Sequence, residues 1–190
     1  TERLDLGAAI AAPLTSDRPD GLWPTVVVDE LGIALGLAYS DADSLSEAVR
    51  SGRGVYHSRS RGLWIKGETS GATQELLAVD LDCDRDALRF PVSQNDPGFC
   101  HLDTMTCWGD DRGVAALARR LAQRATEAPD GSYTRRLLDD PDLLRTKLAE
   151  EAGELAAAET PAEVAHEAAD LLYFTLTAMA RAGVPLAEVA

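Results

Sequence analysis

Long apolar runs are absent from this chain of 190 residues, and so is any stretch patterned like a signal peptide. A helix that crosses a bilayer needs about 20 consecutive apolar residues, so no membrane partner is expected. Cysteine is scarce as well. The three present cannot all pair with one another, and without a secretory pattern the thiols point to a reducing compartment. A cytoplasmic location follows, or an organelle matrix if a transit segment was removed upstream of Thr1. Positive charge is also in short supply: Lys and Arg number 18 against 32 Asp and Glu, a formal net charge of -14. That balance argues against a surface built for nucleic acid or anionic lipid. A small anionic substrate stays compatible with it, because bound metals and local basic clusters invert the field inside a pocket. The sequence has neither an internal repeat nor a low-complexity segment.

What is there is 45% hydrophobic residues, enough for a packed core in one ordinary domain or two small ones. Two periods divide the chain. From Gly21 to about Trp108, Gly and Pro punctuate short β-branched runs such as Thr25-Val-Val-Val28 and Ile33-Ala-Leu35, which predicts mostly strands, with one helix at Asp43 to Arg50. From Asp110 onward Ala, Leu, Glu and Arg dominate, and helices are predicted at about 112–127, 141–159 and 161–182. Asp140 before Pro141, and the capping box Thr160-Pro-Ala-Glu163, mark two of their starts. Ser132-Tyr-Thr134 is placed to cap a short helix through Leu138. The expected fold is a multidomain α+β chain: an extension over 1–20, a mostly-β domain over 21–109 and an all-α domain over 112–190.

All three cysteines fall between positions 83 and 107, interleaved with carboxylates. In an extended strand Asp80, Asp82, Asp84 and Asp86 share one face, and Leu81 and Cys83 share the other. Such a row of like charges repels itself unless a cation sits among it, which suits magnesium at Asp82, Asp84 and Asp86; a solvated edge strand is the alternative. Cys83 must meet Cys100 and Cys107 by folding or across a subunit boundary. Three thiolate ligands leave zinc a fourth position for water, whereas buried free cysteines are the plainer alternative. His101 is placed as a proton acceptor beside that water, or as a supporting or core residue. Upstream, Ser58, Arg59, Ser60, Arg61, Trp64, Lys66, Glu68, Thr69 and Ser70 concentrate donors for phosphate around glycines, or form a charged surface hairpin.

A second acidic group lies on the predicted helices. Lys147, Glu150, Glu151 and Glu154 recur at spacings of three and four, and Glu167 and Asp170 repeat that spacing on the next helix. Two packed helices would gather the five acids around magnesium. Solvated helix faces are the alternative.

The chain resembles the bifunctional histidine-biosynthesis enzymes that join phosphoribosyl-AMP cyclohydrolase to phosphoribosyl-ATP pyrophosphohydrolase. The cyclohydrolase likeness rests on Ser58-Arg-Ser-Arg61, Leu63-Trp-Ile-Lys-Gly-Glu-Thr-Ser-Gly71, Asp82-Cys-Asp-Arg-Asp86 and Cys100-His101 with Cys107. The other half rests on Ser132-Tyr-Thr134, Lys147 with Glu150-Glu-Ala-Gly-Glu154, and Glu167-Ala-Ala-Asp-Leu-Leu-Tyr173, the pattern of helical nucleoside-triphosphate pyrophosphatases. The resemblance implies hydrolysis of phosphoribosyl-ATP to phosphoribosyl-AMP and pyrophosphate, then zinc-assisted opening of the adenine ring. It also implies a homodimer with zinc held by Cys83 of one subunit and Cys100 and Cys107 of the other, and magnesium at both acidic clusters. Rival expectations are a general nucleotide pyrophosphatase with a structural zinc domain, or a zinc-dependent protein-binding module.

Overall fold

The structure is a computed structural model that describes residues 5–189; residues 1–4 of the expected extension, and Ala190, lie outside that range. The chain divides into two compact units between Asp111 and Arg112.

The first unit begins with helix α1 (Leu6–Ala11), which the sequence pattern did not signal. Strands β1 (Trp23–Val28) and β2 (Ala34–Ser40) follow, then helix α2 (Ala42–Ser51) and the hairpin β3 (Val55–Ser58) and β4 (Gly62–Ile65). Strands β5 (Gln74–Leu76), β6 (Asp80–Leu81) and β7 (Leu88–Gln94) complete it. The main sheet runs β2-β1-β7-β5, with β6 also paired to β7. Only β1 and β7 run parallel among these pairs. Within β1, Val27 and Val28 are buried and Val26 is exposed. The core collects Val27, Leu35, Leu45, Val55, Tyr56, Phe90 and Val92, each worth about 1.5–3 kcal/mol on burial for the aliphatic and Phe side chains.

Helix α2 starts because the Asp41 carboxylate accepts from Ser44 N while Ser44 Oγ accepts from Asp41 N, and it stops at Gly52 in the left-handed region. Helix α1 packs on α2 through Gly7, where a Cβ would collide with the Ser46 backbone. A buried polar chain ties β3 to β5 and β7: Tyr56 OH donates to Gln74 Oε1 at 2.7 Å, and Gln74 Nε2 donates to Gln94 Oε1 at 2.7 Å.

One strand expectation fails. Asp80 and Leu81 are the whole of β6, and residues 82–87 form a tight loop with Arg85 at φ 67°. Asp82 Oδ1 accepts from the backbone N–H groups of Asp86 and Ala87 at 3.0 and 3.1 Å. Such local side-chain bonds compete with a strand ladder and turn the chain back. Cys83, expected on an apolar face, is consequently exposed.

The second unit is helical: α3 (Gly113–Glu127), α4 (Tyr133–Asp139), α5 (Pro141–Ala157) and α6 (Pro161–Ala182), then a 3-10 turn at Leu186–Glu188. Ser132, Asp140 and Thr160 cap the last three helices, and Gly183 closes α6 at φ 71°. Leu137, Leu144 and Phe174 form the core, with Leu148 and Tyr173 packed against it. No described helix is long and apolar enough to cross a membrane.

Candidate functional site

The β6–β7 loop gathers what a strand would have spread apart. One carboxylate oxygen from each of Asp82, Asp84 and Asp86 lies within 4.8 Å of the other two. Asp80 is not part of the group, because Arg89 holds it at 2.8 Å across the strand pair. The crowding splits the proton affinities: the Ala87 N–H and other donors hold Asp82 below the usual carboxylate range, while its bond to Asp82 and the charge on Asp84 push Asp86 up. Three oxygen donors so placed fit a hard divalent cation such as magnesium. The N-terminal segment reaches this loop, since Thr15 N donates to Arg85 O at 2.9 Å.

The thiols sit on a second loop. Phe99 N donates to Met105 O and Cys100 N to Thr104 O, at 3.2 and 3.1 Å, folding residues 99–105 back on themselves. Cys107 N donates to Leu35 O at 2.8 Å and so ties the loop to β2. Gly36 makes room for it: a Cβ there would collide with the Phe99 ring and lie 3.2 Å from Cys107 Sγ. Cys100 and Cys107 lie near enough for each to act on the other's thiol. The Leu102 N–H and the Thr104 hydroxyl lower the Cys100 thiol, and partial burial of its sulfur, then Cys100, raises that of Cys107. His101 is exposed, with Nδ1 3.9 Å from Cys100 Sγ.

One chain therefore brings together two of the three expected zinc ligands. Among the described residues, the groups of three that converge within 4.8 Å are carboxylate groups, and Cys83, Cys100 and Cys107 do not form such a group. Thiolate donors suit zinc, and the pair fits it with a third ligand brought from outside this cluster.

The phosphate-binding candidates lie on the β3–β4 hairpin and the turn after it. Arg59 and Arg61 are exposed at its tip, with the Arg59 guanidinium 5.5 Å from the Tyr39 ring and that of Arg61 5.5 Å from Trp64. Ser58 and Ser60 share a hydroxyl contact of 3.3 Å. Glu68, Thr69 and Ser70 are exposed in the following turn. Lys66 departs from this group: it is buried, with Nζ 5.5 Å from the Phe99 ring centroid. Burial pulls its pKa below the ordinary value, while charge on Cys107 and Cys100 acts the other way.

Sequence reasoning did not find the His57–Asp41 contact, at 2.6 Å between Nδ1 and Oδ2, because its residues are far apart in the chain. Gly36, set inside an apolar strand pattern, did carry a signal: such a glycine marks close approach by another group.

On the helices, Glu151 from α5 and Glu167 and Asp170 from α6 bring carboxylate oxygens within 4.8 Å, with Glu151 only 5% exposed. Glu150 is outside this group, drawn to Lys147 Nζ at 2.8 Å, and Glu154 is exposed and also outside it. Glu150 and then Glu151 raise the Lys147 ammonium's pKa. Hard oxygen donors of this kind fit magnesium.

Residues 36–109 match the family model for phosphoribosyl-AMP cyclohydrolase, and residues 114–190 that for phosphoribosyl-ATP pyrophosphohydrolase. The chain is 54% identical to the histidine biosynthesis trifunctional protein of Neurospora crassa, over 98% of this chain and 21% of that protein. Identity to the histidine biosynthesis bifunctional protein his7 of Schizosaccharomyces pombe is 50%, over 99% of this chain and 45% of the relative. The chain thus spans under half the length of these two relatives. The histidine biosynthesis bifunctional protein HisIE of Deinococcus radiodurans is 39% identical over 90% of this chain, and 87% of its own length is covered. With both domains matched in this order, the chain belongs to the family of bifunctional histidine-biosynthesis proteins that join a phosphoribosyl-AMP cyclohydrolase to a phosphoribosyl-ATP pyrophosphohydrolase.

Proposed function

We propose that the chain carries out two consecutive hydrolyses of histidine biosynthesis: phosphoribosyl-ATP to phosphoribosyl-AMP and pyrophosphate, then opening of the adenine ring of phosphoribosyl-AMP. The observation that carries this reading is the coincidence of each matched domain with its own cluster of metal donors. The thiols and the aspartate loop fall within the first, and Glu151, Glu167 and Asp170 within the second.

In the helical unit, read as a relative of the helical nucleotide pyrophosphatases, Glu151, Glu167 and Asp170 would hold magnesium. Magnesium there supplies charge neutralisation for the triphosphate and for the departing pyrophosphate. Glu150 and Glu154 flank these three as further oxygen donors, and Lys147, paired with Glu150 and Glu151 in the structure, would exchange that pairing for a phosphate oxygen. Water attacks the phosphorus of the bond that breaks, and pyrophosphate leaves.

In the first unit Cys100 and Cys107 would hold zinc with Cys83 from a second copy of the chain, making the enzyme a homodimer. Zinc so held supplies Lewis-acid activation of water. Asp82, Asp84 and Asp86 would hold magnesium, with Ser58, Arg59, Ser60, Arg61, Trp64, Glu68, Thr69 and Ser70 around the phosphoribosyl group. With Nδ1 turned toward Cys100, His101 accepts a proton at Nε2 as water adds to C6 of the purine. The N1–C6 bond then breaks and a proton goes to N1. We place the enzyme in the cytoplasm.

The test is mass spectrometry of the products from phosphoribosyl-ATP with magnesium and zinc. Free pyrophosphate together with a product at phosphoribosyl-AMP mass plus one water supports both activities. Accumulation of phosphoribosyl-AMP alone removes the cyclohydrolase, and turnover of ordinary deoxynucleotides instead favours a general nucleotide pyrophosphatase.

A further inference from the structure

Lys66 is one of only two lysines in the chain, and it is 6% exposed. Its ammonium has three protons to donate, yet the hydrogen bond it makes is a long one, 3.4 Å to Ala72 O. No carboxylate lies within ion-pair distance of it among the described residues, although the chain is strongly acidic. A charge taken out of water without a counter-charge is costly. On one side of Nζ stands the ring of Phe99 at 5.5 Å. Phe99 immediately precedes Cys100, and the space that Gly36 leaves open holds both the Phe99 ring and Cys107 Sγ. The ammonium therefore packs against the loop that carries Cys100 and Cys107, whose sulfurs once ionised would be its counter-charge.

We propose that Lys66 is a positioning residue of the zinc site, the resident counter-cation of the Cys100–Cys107 pair, and not a donor to substrate phosphate. This rests on the reading of those cysteines as zinc ligands. Thiol ligands bind metal as thiolates, and a buried cation packed against the loop that carries both sulfurs offsets the negative charge they bring to the site. Three thiolates also outweigh the charge of one divalent ion, and the ammonium restores local neutrality. Phosphate would instead meet Arg59 and Arg61, which are exposed at the hairpin tip.

The experiment is competition for zinc between a chromophoric chelator and the full chain, as wild type, Lys66→Gln and Lys66→Met. Lys66→Gln keeps an N–H donor while removing the charge and one methylene of reach. Melting of the metal-free proteins checks that each variant folds, and Lys66→Met takes over if the glutamine variant does not. Zinc affinity is expected to fall about 10- to 100-fold, the usual cost of removing a partner behind metal ligands, with KM for phosphoribosyl-AMP unchanged at saturating zinc. Equal zinc affinity in folded variants overturns the proposal, as does a raised KM at unchanged affinity, which would return Lys66 to phosphate. A wild type that binds no zinc would instead overturn the reading of the cysteines themselves.

Discussion

Gly36 and Cys107 are steric neighbours across β2 and the thiol loop: a Cβ at position 36 would stand 3.2 Å from Cys107 Sγ and overlap the Phe99 ring. The strand can approach the thiol loop closely, with Cys107 N bonded to Leu35 O at 2.8 Å, because no side chain intervenes.

Gly36→Ala should consequently push Phe99 and Cys107 away from β2. Overpacking of this kind costs about 1–3 kcal/mol, which a urea melt will show. Zinc content and ring opening should fall, whereas pyrophosphate release from phosphoribosyl-ATP should hold, since Glu151, Glu167 and Asp170 belong to the other unit. Unchanged zinc binding by the variant would mean that the loop tolerates displacement.

Separate sites predict separable losses. Glu151→Gln removes a nearly buried carboxylate from the helical cluster. It should slow pyrophosphate release about 100-fold, at or beyond the upper end of what loss of a supporting metal contact costs. Ring opening should persist when phosphoribosyl-AMP is supplied directly. Cys107→Ala should do the reverse. Coupled assays on each substrate decide the matter, and a folded variant that loses both reactions contradicts the division.

Acid should weaken α2. Burial works against ionisation of Asp41, but the Ser44 N–H and hydroxyl and then His57 outweigh it, and the carboxyl ends below its usual range. A depressed carboxyl contributes stability that is complete above its unfolded value, about 4, and lost as pH falls through the folded one. Asp41→Ala should cost about 1 kcal/mol at pH 7, as loss of an N-cap does. Urea midpoints of wild type and variant should converge below about pH 4.

How much of this was legible in the sequence depended on the range of the interactions. Helix α6 was predicted at the bounds observed, 161–182, because its start signal is local: Thr160 and Glu163 bond each other's backbone. The acidic residues were found by spacing, yet their conformation was misjudged. Alternation favoured a strand, and what decided otherwise was the bond from Asp82 Oδ1 to the Asp86 and Ala87 N–H groups. Convergence of Glu151 with Glu167 and Asp170 followed from helical spacing on α5 and α6. The departure of Glu150 toward Lys147 is a choice of rotamer, which spacing does not encode. Lys66 looked like one more donor in a basic motif, and only the fold buries it against Phe99 on the thiol loop.

Cys83 supplies the last prediction. It is exposed on the aspartate loop and does not converge within 4.8 Å with both Cys100 and Cys107, which share another loop. If zinc requires all three, a closed two-fold dimer offers each site the pair from one copy and Cys83 from the other. Cys83→Ala and Cys107→Ala should then each abolish ring opening alone. Mixed, unfolded and refolded together, they should recover it, because a heterodimer rebuilds one intact site from the unmutated Cys83 of one chain and the unmutated pair of the other. Random pairing makes half the dimers mixed, each with one working site of two, so about a quarter of wild-type activity should return. Neither single variant can complement within its own chain, so recovery identifies a shared site. Absence of recovery in a mixture shown to contain heterodimers would place all three ligands within one chain, and would require the loop that carries Cys83 to move toward Cys100 and Cys107 when metal binds.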